Sequence, residues 1–290
     1  MIRDILKSIS SERWNIGFVE NNLHEIMNGE TLRVKWLKHN CKNSWFADPF
    51  ILDVTDDEIC VLVEEFYKPF QRGRISRLIV DKKTYELKQL NVALELPTHL
   101  SFPAIIRKDD GIYIYPENGE SGKLCLYQYI PDKNECIRIE TILNESVADS
   151  VISRINGEEL LFCTKQPNQN GNILYIYRKN VLGSFVQIGK YIFDENVARM
   201  AGDFFEFGGH IYRPAQECNI QYGHAVVLQK VDKVNDAFLF SEKRRLYSVH
   251  PQLNVGMHTF STYKNVIVTD ALGFDNMWIR KILKGIGVLH

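Results

Sequence analysis

Residues 47–52 read Ala-Asp-Pro-Phe-Ile-Leu (ADPFIL), a polar opening that turns into a short apolar strand. The same move returns in SFPAII (101–106), ADSVIS (148–153), AGDFFEF (201–207) and GMHTFS (256–261). With Asp48, Pro103, Asp149, Asp203 and His258 as markers, the steps are 55, 46, 54 and 55 residues. A repeat of roughly 50 residues made of short strands marks a β-propeller, with one four-stranded sheet per repeat. Five repeats predict an all-β, five-bladed β-propeller. A β-sandwich is the main rival, and the repeat favours the propeller. Equivalent positions of the blades then converge on one mouth of a central channel, where polar residues have few structural uses.

Working outward, the chain reads as one propeller domain over 1–290. The blades are expected at about 45–97, 98–147, 148–198, 199–250, and 251–283 together with 13–38. Blade one carries ICVLVEEF, RISRLIVD and LKQLNVALE after its first strand, separated by the turn signals TDD, QRG and DKKT. The fifth segment supplies too few strands. WNIGFV (14–19) or LRVKWL (32–37) is therefore expected to pair into it and close the ring, which removes exposed edges. Residues 1–12 read as a short amphipathic helix with Ile2, Ile5, Leu6 and Ile9 on one face.

Composition narrows the function. Of 290 residues, 45% are hydrophobic and 24% charged, which suits a large soluble core. The net charge of −1, with both signs interspersed, argues against a nucleic-acid partner. The six cysteines form no CxxC pair and several lie in apolar strands, so they read as reduced small hydrophobes. No secretory h-region or stretch of ~20 apolar residues occurs, so a cytoplasmic location is expected.

Asp48, Asp149, Asp203 and His258 are expected to face one another across the mouth. Second strands place polar residues inside apolar runs: Glu64 and Glu65 in VLVEEF, Glu117 in IYPENG, Arg213 and Gln216 in YRPAQE. Such groups are costly unless paired or used. Alternation puts Glu64 and Glu65 on opposite faces, one of them serving an ion pair with Arg72, Arg74 or Arg77. Trp45 offers a wall for stacking a sugar ring, and Tyr222 suits the same rim. Plainer readings stand beside these: Asp48, Glu117 and Asp149 as turn residues, and His258 as a satisfied core histidine. No phosphate loop, GxSxG elbow or HExxH is present. No metal ligand set or cofactor is called for, although a divalent cation beside His258 would be accommodated.

WFADPFIL, HLSFPAII, ARMAGDFFEF, RPAQEC with its following YG, and GMHTFS together resemble the N-terminal domain family of glucosamine inositolphosphorylceramide transferase and its bacterial relatives. The resemblance covers about residues 13–272. RPAQEC is its most specific piece, whereas ADPF recurs in many five-bladed glycosidases of family 43 type. In the plant members the transfer chemistry is assigned to a separate C-terminal domain, so the resemblance implies a stand-alone relative in surface-polysaccharide or glycoconjugate metabolism. It also implies that Asp48 matches the glycosidase base or nucleophile and Asp149 the substrate-orienting aspartate. The blade-four acid of those enzymes has no clear counterpart, since Arg213, Gln216 and Glu217 occupy its neighbourhood. Glu117 is the substitute from blade two.

Two functions are therefore expected from different classes. The first is an enzyme acting on a sugar or nucleotide-sugar by glycosyl hydrolysis or transfer. There Asp48 is the base, Glu117 or Glu217 the acid, and Asp149 and Arg213 position the substrate. On this reading Asp48→Asn abolishes turnover and leaves the melting temperature nearly unchanged. The second is a non-catalytic glycan-binding or scaffolding propeller that partners a glycosyltransferase, using Trp45, Tyr222, Arg213 and Gln216. Membrane contact through the basic, amphipathic stretch 278–289 is not expected; a last strand or capping helix is the preferred reading there.

Overall fold

A computed structural model describes residues 11–234 and 237–276. The expected N-terminal helix falls largely outside these residues, and its last position, Glu12, already belongs to a strand. The stretch 278–289 lies outside them altogether. The chain opens with β1 (Glu12–Val19), the short helix α1 (Leu23–Met27) and β2 (Val34–Trp36). Blade one follows as β3 (Ser44–Val54), β4 (Glu58–Tyr67), β5 (Arg72–Asp81) and β6 (Leu87–Leu94). Blade two is β7 (Ile105–Lys108), β8 (Gly111–Ile114), β9 (Leu124–Ile130) and β10 (Glu135–Leu143). Blade three is β11 (Val147–Ile155), β12 (Glu158–Lys165), β13 (Ile173–Lys179) and β14 (Phe185–Ile192). Blade four is β15 (Phe205–Phe207), β16 (His210–Glu217), β17 (Ala225–Val234) and β18 (Ala237–Leu246). Blade five has the order β19-β20-β1-β2, where β19 is Phe260–Tyr263 and β20 is Val266–Phe274.

The ring closes as the strand shortfall requires. β1 pairs antiparallel with β20 from Glu12↔Phe274 to Val19↔Ile267, and β2 adds outside it. Both candidate strands are used. All five sheets are antiparallel, four of them meanders of consecutive strands, and neighbouring blades cover both faces of each sheet. Middle strands therefore read as continuous apolar runs, and Val61, Leu62 and Val63 of β4 are all fully buried. Outermost strands are far more exposed, with Ile137 and Ile139 of β10 open to solvent. The six cysteines are free, and Cys163 is wholly buried. No helix among the described residues is long and apolar enough to cross a membrane.

The repeat has a backbone signature that its residue types conceal. Asp48, Phe102 and Asp149 adopt left-handed φ values of 49°, 45° and 43°. Around Asp48 and Asp149, β3 and β11 each carry one extra residue relative to their partners, a bulge that re-aims a side chain. The geometric equivalent in blade two is thus Phe102 and not Pro103, because proline cannot take a positive φ. In blade four the position falls on Gly202, at φ 151°, where a Cβ would lie 2.0 Å from the Phe260 carbonyl oxygen. That close approach excludes a side chain, and Asp203 is displaced by one residue from the expected register.

Candidate active site

Two clusters meet at the mouth. The first joins blades one, two and five around Asp48. Its Oδ2 accepts from the Phe102 amide at 3.0 Å and its Oδ1 from the Thr259 hydroxyl at 2.9 Å. The Asp48 amide donates to Asp270 Oδ2 at 3.2 Å. Asp270 is wholly buried, accepts from the amides of His258 (2.8 Å) and Thr259 (3.1 Å), and contacts His258 Nδ1 at 2.6 Å. His258 Nδ1 also stands 3.7 Å from Asp48 Oδ1, while its ring stacks on Trp14 at 4.0 Å. Burial pushes the Asp48 carboxyl up to about 7 against the pull of His258; Asp149, Glu64 and Asp270 push it further. Burial works against charge on His258, yet Asp270 and Asp48 raise the imidazole to about 9. His258 is thus an imidazolium shared by two buried carboxyls.

The second cluster joins blades two, three and four around Asp149. Arg199 donates from Nε to Asp149 Oδ2 at 2.6 Å and from Nη2 to Glu117 Oε2 at 3.2 Å. Its Nη1 donates to Asn170 at 2.8 Å, and the guanidinium lies 4.9 Å over the Tyr222 ring. Gln216 donates its amide to Asp149 Oδ2 and, at 2.8 Å, to the Met200 carbonyl, while its Oε1 is buried without a partner. Glu117 Oε2 accepts from the Asp149 amide at 3.0 Å. Burial drives the Glu117 carboxyl well above the usual carboxylate range; Arg199 pulls it down and Asp149 pushes it up again. Burial would raise Asp149 too, but Arg199 and the hydrogen bond from Glu117 hold it low. The two carboxyls are thus pushed apart, Glu117 upward by burial and Asp149 downward by Arg199.

Tyr222 and Glu64 connect the halves. Tyr222 packs edge-on against His258 at 5.3 Å, and the charges of Arg199, Asp149, Asp48 and Glu64 all act on its hydroxyl. Gly223, at φ 62°, lets this loop lie against His258, where a Cβ would come 2.9 Å from the histidine Cβ. Glu64 meets His99 Nε2 at 3.2 Å, with 7% of its side chain exposed.

Other expected members do not join the mouth. Glu65, on the opposite face of β4, is fully buried and bonded to Ser44 (2.6 Å), Ser76 (2.6 Å) and Arg74 (2.9 Å). It is the partner of the ion pair that alternation demands of one of the two glutamates. Arg213, read as a substrate group, is 0% exposed and donates to Gln229 Oε1 at 2.6 Å, Met200 sulfur and the 197–199 carbonyls. Burial lowers its guanidinium to about 9. Alternation along β16 sends Gln216 to the mouth and Arg213 elsewhere, so Arg213 supports the backbone that carries Arg199. Asp203 lies off the mouth in the field of Arg107, with burial lifting it to about 7. Trp45 is 9% exposed with one face stacked on Phe66 at 4.7 Å, which leaves little ring for a sugar. Glu217 is paired with the His224 imidazole at 2.5 Å, away from the Asp149 cluster.

Sequence reasoning omits Arg199, the cation that organises the second cluster. Its signal is an arginine inside the apolar run VARMAGDFF, just ahead of a repeat opening. Trp14 and Thr259 are likewise unread, since strand periodicity marks them as core.

A family model described as glucosamine inositolphosphorylceramide transferase 1, N-terminal, matches residues 20–253. Glucosamine inositolphosphorylceramide transferase 1 of Oryza sativa subsp. japonica is 27% identical over 66% of this chain and 27% of its own length. The Arabidopsis thaliana protein of that name is also 27% identical, over 66% of this chain and 26% of its length. The chain thus spans about a quarter of the curated relatives it matches. Among solved structures, a family 43 β-xylosidase/α-arabinofuranosidase from a compost microbial metagenome superposes with TM-score 0.56 and 12% identity. That match covers 83% of this chain and 94% of the xylosidase. An exo-β-1,3-galactanase from Phanerochaete chrysosporium gives TM-score 0.55 at 10% identity, over 72% and 53% of the two chains. At these identities the likeness establishes the fold alone.

Proposed function

The chain belongs to the family of the N-terminal part of glucosamine inositolphosphorylceramide transferase 1, and from that premise we propose a carbohydrate-active propeller whose mouth receives a sugar. The observation that carries this reading is the Glu117–Asp149–Arg199 cluster, in which one guanidinium donates to two carboxyls, the first pushed up by burial and the second held low. Glycosyl cleavage or transfer needs an acid that still holds its proton near neutral pH and a carboxylate that stays ionised. Glu117 fits the acid, with 12% of its side chain exposed, more than either Asp149 or Asp48 at 2% and 4%. Asp149 fits the ionised partner that keeps the proton on Glu117, and Gln216 holds Asp149 in place. Asp48 is assigned the base across the mouth, with His258 and Thr259 orienting it.

The names of the relatives support transfer of a sugar as much as hydrolysis. Arg213 is buried away from the mouth and offers no cation to a sugar phosphate there, so a glycoside or glycan is preferred over a nucleotide-sugar. Surface-polysaccharide or glycoconjugate metabolism in the cytoplasm is the setting this reading suits.

One observation favours a glycan-binding propeller that partners a glycosyltransferase. Both Asp48 oxygens are already hydrogen-bonded, and blade four offers an amide, Gln216, where an acid would serve catalysis. Glu117→Gln separates the two readings, because glutamine keeps the shape and the acceptor but has no proton to give. Turnover of glycosides, glycans and nucleotide-sugars is to be measured first on the wild type. An enzyme loses it in Glu117→Gln at unchanged melting temperature. A binding propeller shows sugar affinity without turnover in either protein.

A further inference from the structure

At the end of the propeller away from the acidic mouth, a crevice of ≈ 500 Å³ separates blades one and two. Arg77 of β5 and Arg107 and Lys108 of β7 line it. None of the three is ion-paired to a carboxylate among the described residues. Arg77 uses Nη1 on the Tyr129 hydroxyl (3.4 Å) and the Pro131 carbonyl (3.3 Å), while its Nε is buried without a partner. Arg107 donates from Nη2 to the carbonyls of Ile51 (2.6 Å) and Leu52 (3.1 Å), and sits 3.7 Å over the Tyr263 ring. The Lys108 ammonium rests over Tyr113 at 4.7 Å.

Three carboxylates stand near this set: Asp53 and Asp109 line the crevice, and the Arg107 charge acts on Asp53 and on Asp203, though none pairs directly with the three cations. Asp53 is held by Lys264 at 2.7 Å, and Asp109 is an exposed turn residue after β7. Arg107 and Lys108 are exposed, whereas the Arg77 Nε is turned inward without an acceptor, which is costly, and a bound anion removes that cost. Two guanidinium forks and an ammonium match the oxygens of a phosphate or carboxylate, which accept charge-assisted hydrogen bonds from several donors at once.

We propose that this crevice is a second ligand site, separate from the mouth, for a molecule bearing a phosphate or carboxylate group. Arg77 and Arg107 grip the oxyanion, and Lys108 closes over its outer side. Leu52, Ile112 and the Tyr129 ring face the rest of the ligand. Nothing in the site described above depends on this crevice, since its residues share no hydrogen bond with either mouth cluster.

The test is a titration of the full chain with inorganic phosphate and, separately, with glucuronate, against sodium chloride of equal ionic strength. Binding is followed by calorimetry and by amide NMR shifts. The expected result is saturable binding, with shifts centred on Lys108, Gly111 and Ile112. Arg77→Gln combined with Lys108→Gln should weaken it by ~10-fold or more, the loss of roughly one charged hydrogen bond. Lys108→Gln alone, at an exposed position, should weaken it several-fold if the double variant folds poorly. Whichever anion saturates at lower concentration identifies the headgroup. Responses no larger than chloride gives, shifts centred elsewhere, or affinity unchanged in the variants would overturn the site. Glu117→Gln should leave this binding intact, so failure here and failure of the mouth are told apart.

Discussion

Asp48, Glu117, Asp149, Arg199 and His258 come from five different repeats or loops, and what each does follows from its neighbours. Burial pushes Glu117 toward the neutral acid against the pull of Arg199, so Glu117→Gln should shift the melting temperature little while removing any turnover. Asp48 behaves otherwise. It takes hydrogen bonds from blades two and five, and its amide is fixed by Asp270. Asp48→Asn replaces an acceptor with a donor there and should cost about 1–3 kcal/mol of stability, read from denaturant midpoints. The expectation that this variant melts like the wild type is therefore revised. His258 is raised from 6.5 to about 9, so its contribution is whole below pH 6.5 and lost as pH rises through about 9. Burial of Asp48 acts with the same sign up to about pH 7. Stability should fall between pH 6.5 and 9 by an amount on the order of 3 kcal/mol, seen as a lower melting temperature, and His258→Gln should flatten that limb. At this scale Asp48 and Asp149 are legible in the sequence, because the repeat puts them at matching positions. Arg199 is not, because it lies in a loop with no periodicity to assign it a face.

Single strands show where pattern reading succeeds and where it stops. β4 presents Glu64 and Glu65, and β16 presents Arg213, Gln216 and Glu217, within a few positions, and only a known register says which faces the channel. Glu64 and Glu65 separate as alternation requires, whereas Arg213 and Gln216 separate in the direction that removes Arg213 from the site. The helix α1 is legible in hindsight from its capping box, Asn22 with Glu25, whose side chains and amides bond reciprocally at 3.0 and 2.9 Å. The opening of blade four rests on Gly202, which permits the backbone of blade five to approach. Gly202→Ala forces a Cβ against the Phe260 carbonyl and holds alanine at a positive φ. It should destabilise by roughly 2–4 kcal/mol, seen as a lower denaturant midpoint. The same change at Gly208, with open space around it and φ 56°, should cost less.

The wheel as a whole is what turns distant residues into neighbours, and its closure is the step most exposed to failure. β1 supplies the third strand of blade five and carries Trp14 under His258. Removing residues 1–19 should leave β20 and β2 with bare edges, giving a chain that loses its single cooperative transition and aggregates. The five-fold repeat, the blade order and the need for N-terminal closure are all readable from spacing and strand count. The chemistry at the mouth is less so, because it depends on exact register: Asp203 misses the mouth by one position, and the Glu117 carboxyl is pushed up only by three-dimensional burial. The central claim is that the two clusters form one sugar-receiving mouth. It is tested most directly by melting the wild type against a panel of glycosides, glycans and nucleotide-sugars, then repeating any hit with Tyr222→Ala. The account predicts at least one sugar that raises the melting temperature of the wild type and loses that effect in the variant. A panel without a single stabilising member, or a stabilisation undiminished in Tyr222→Ala, would contradict it.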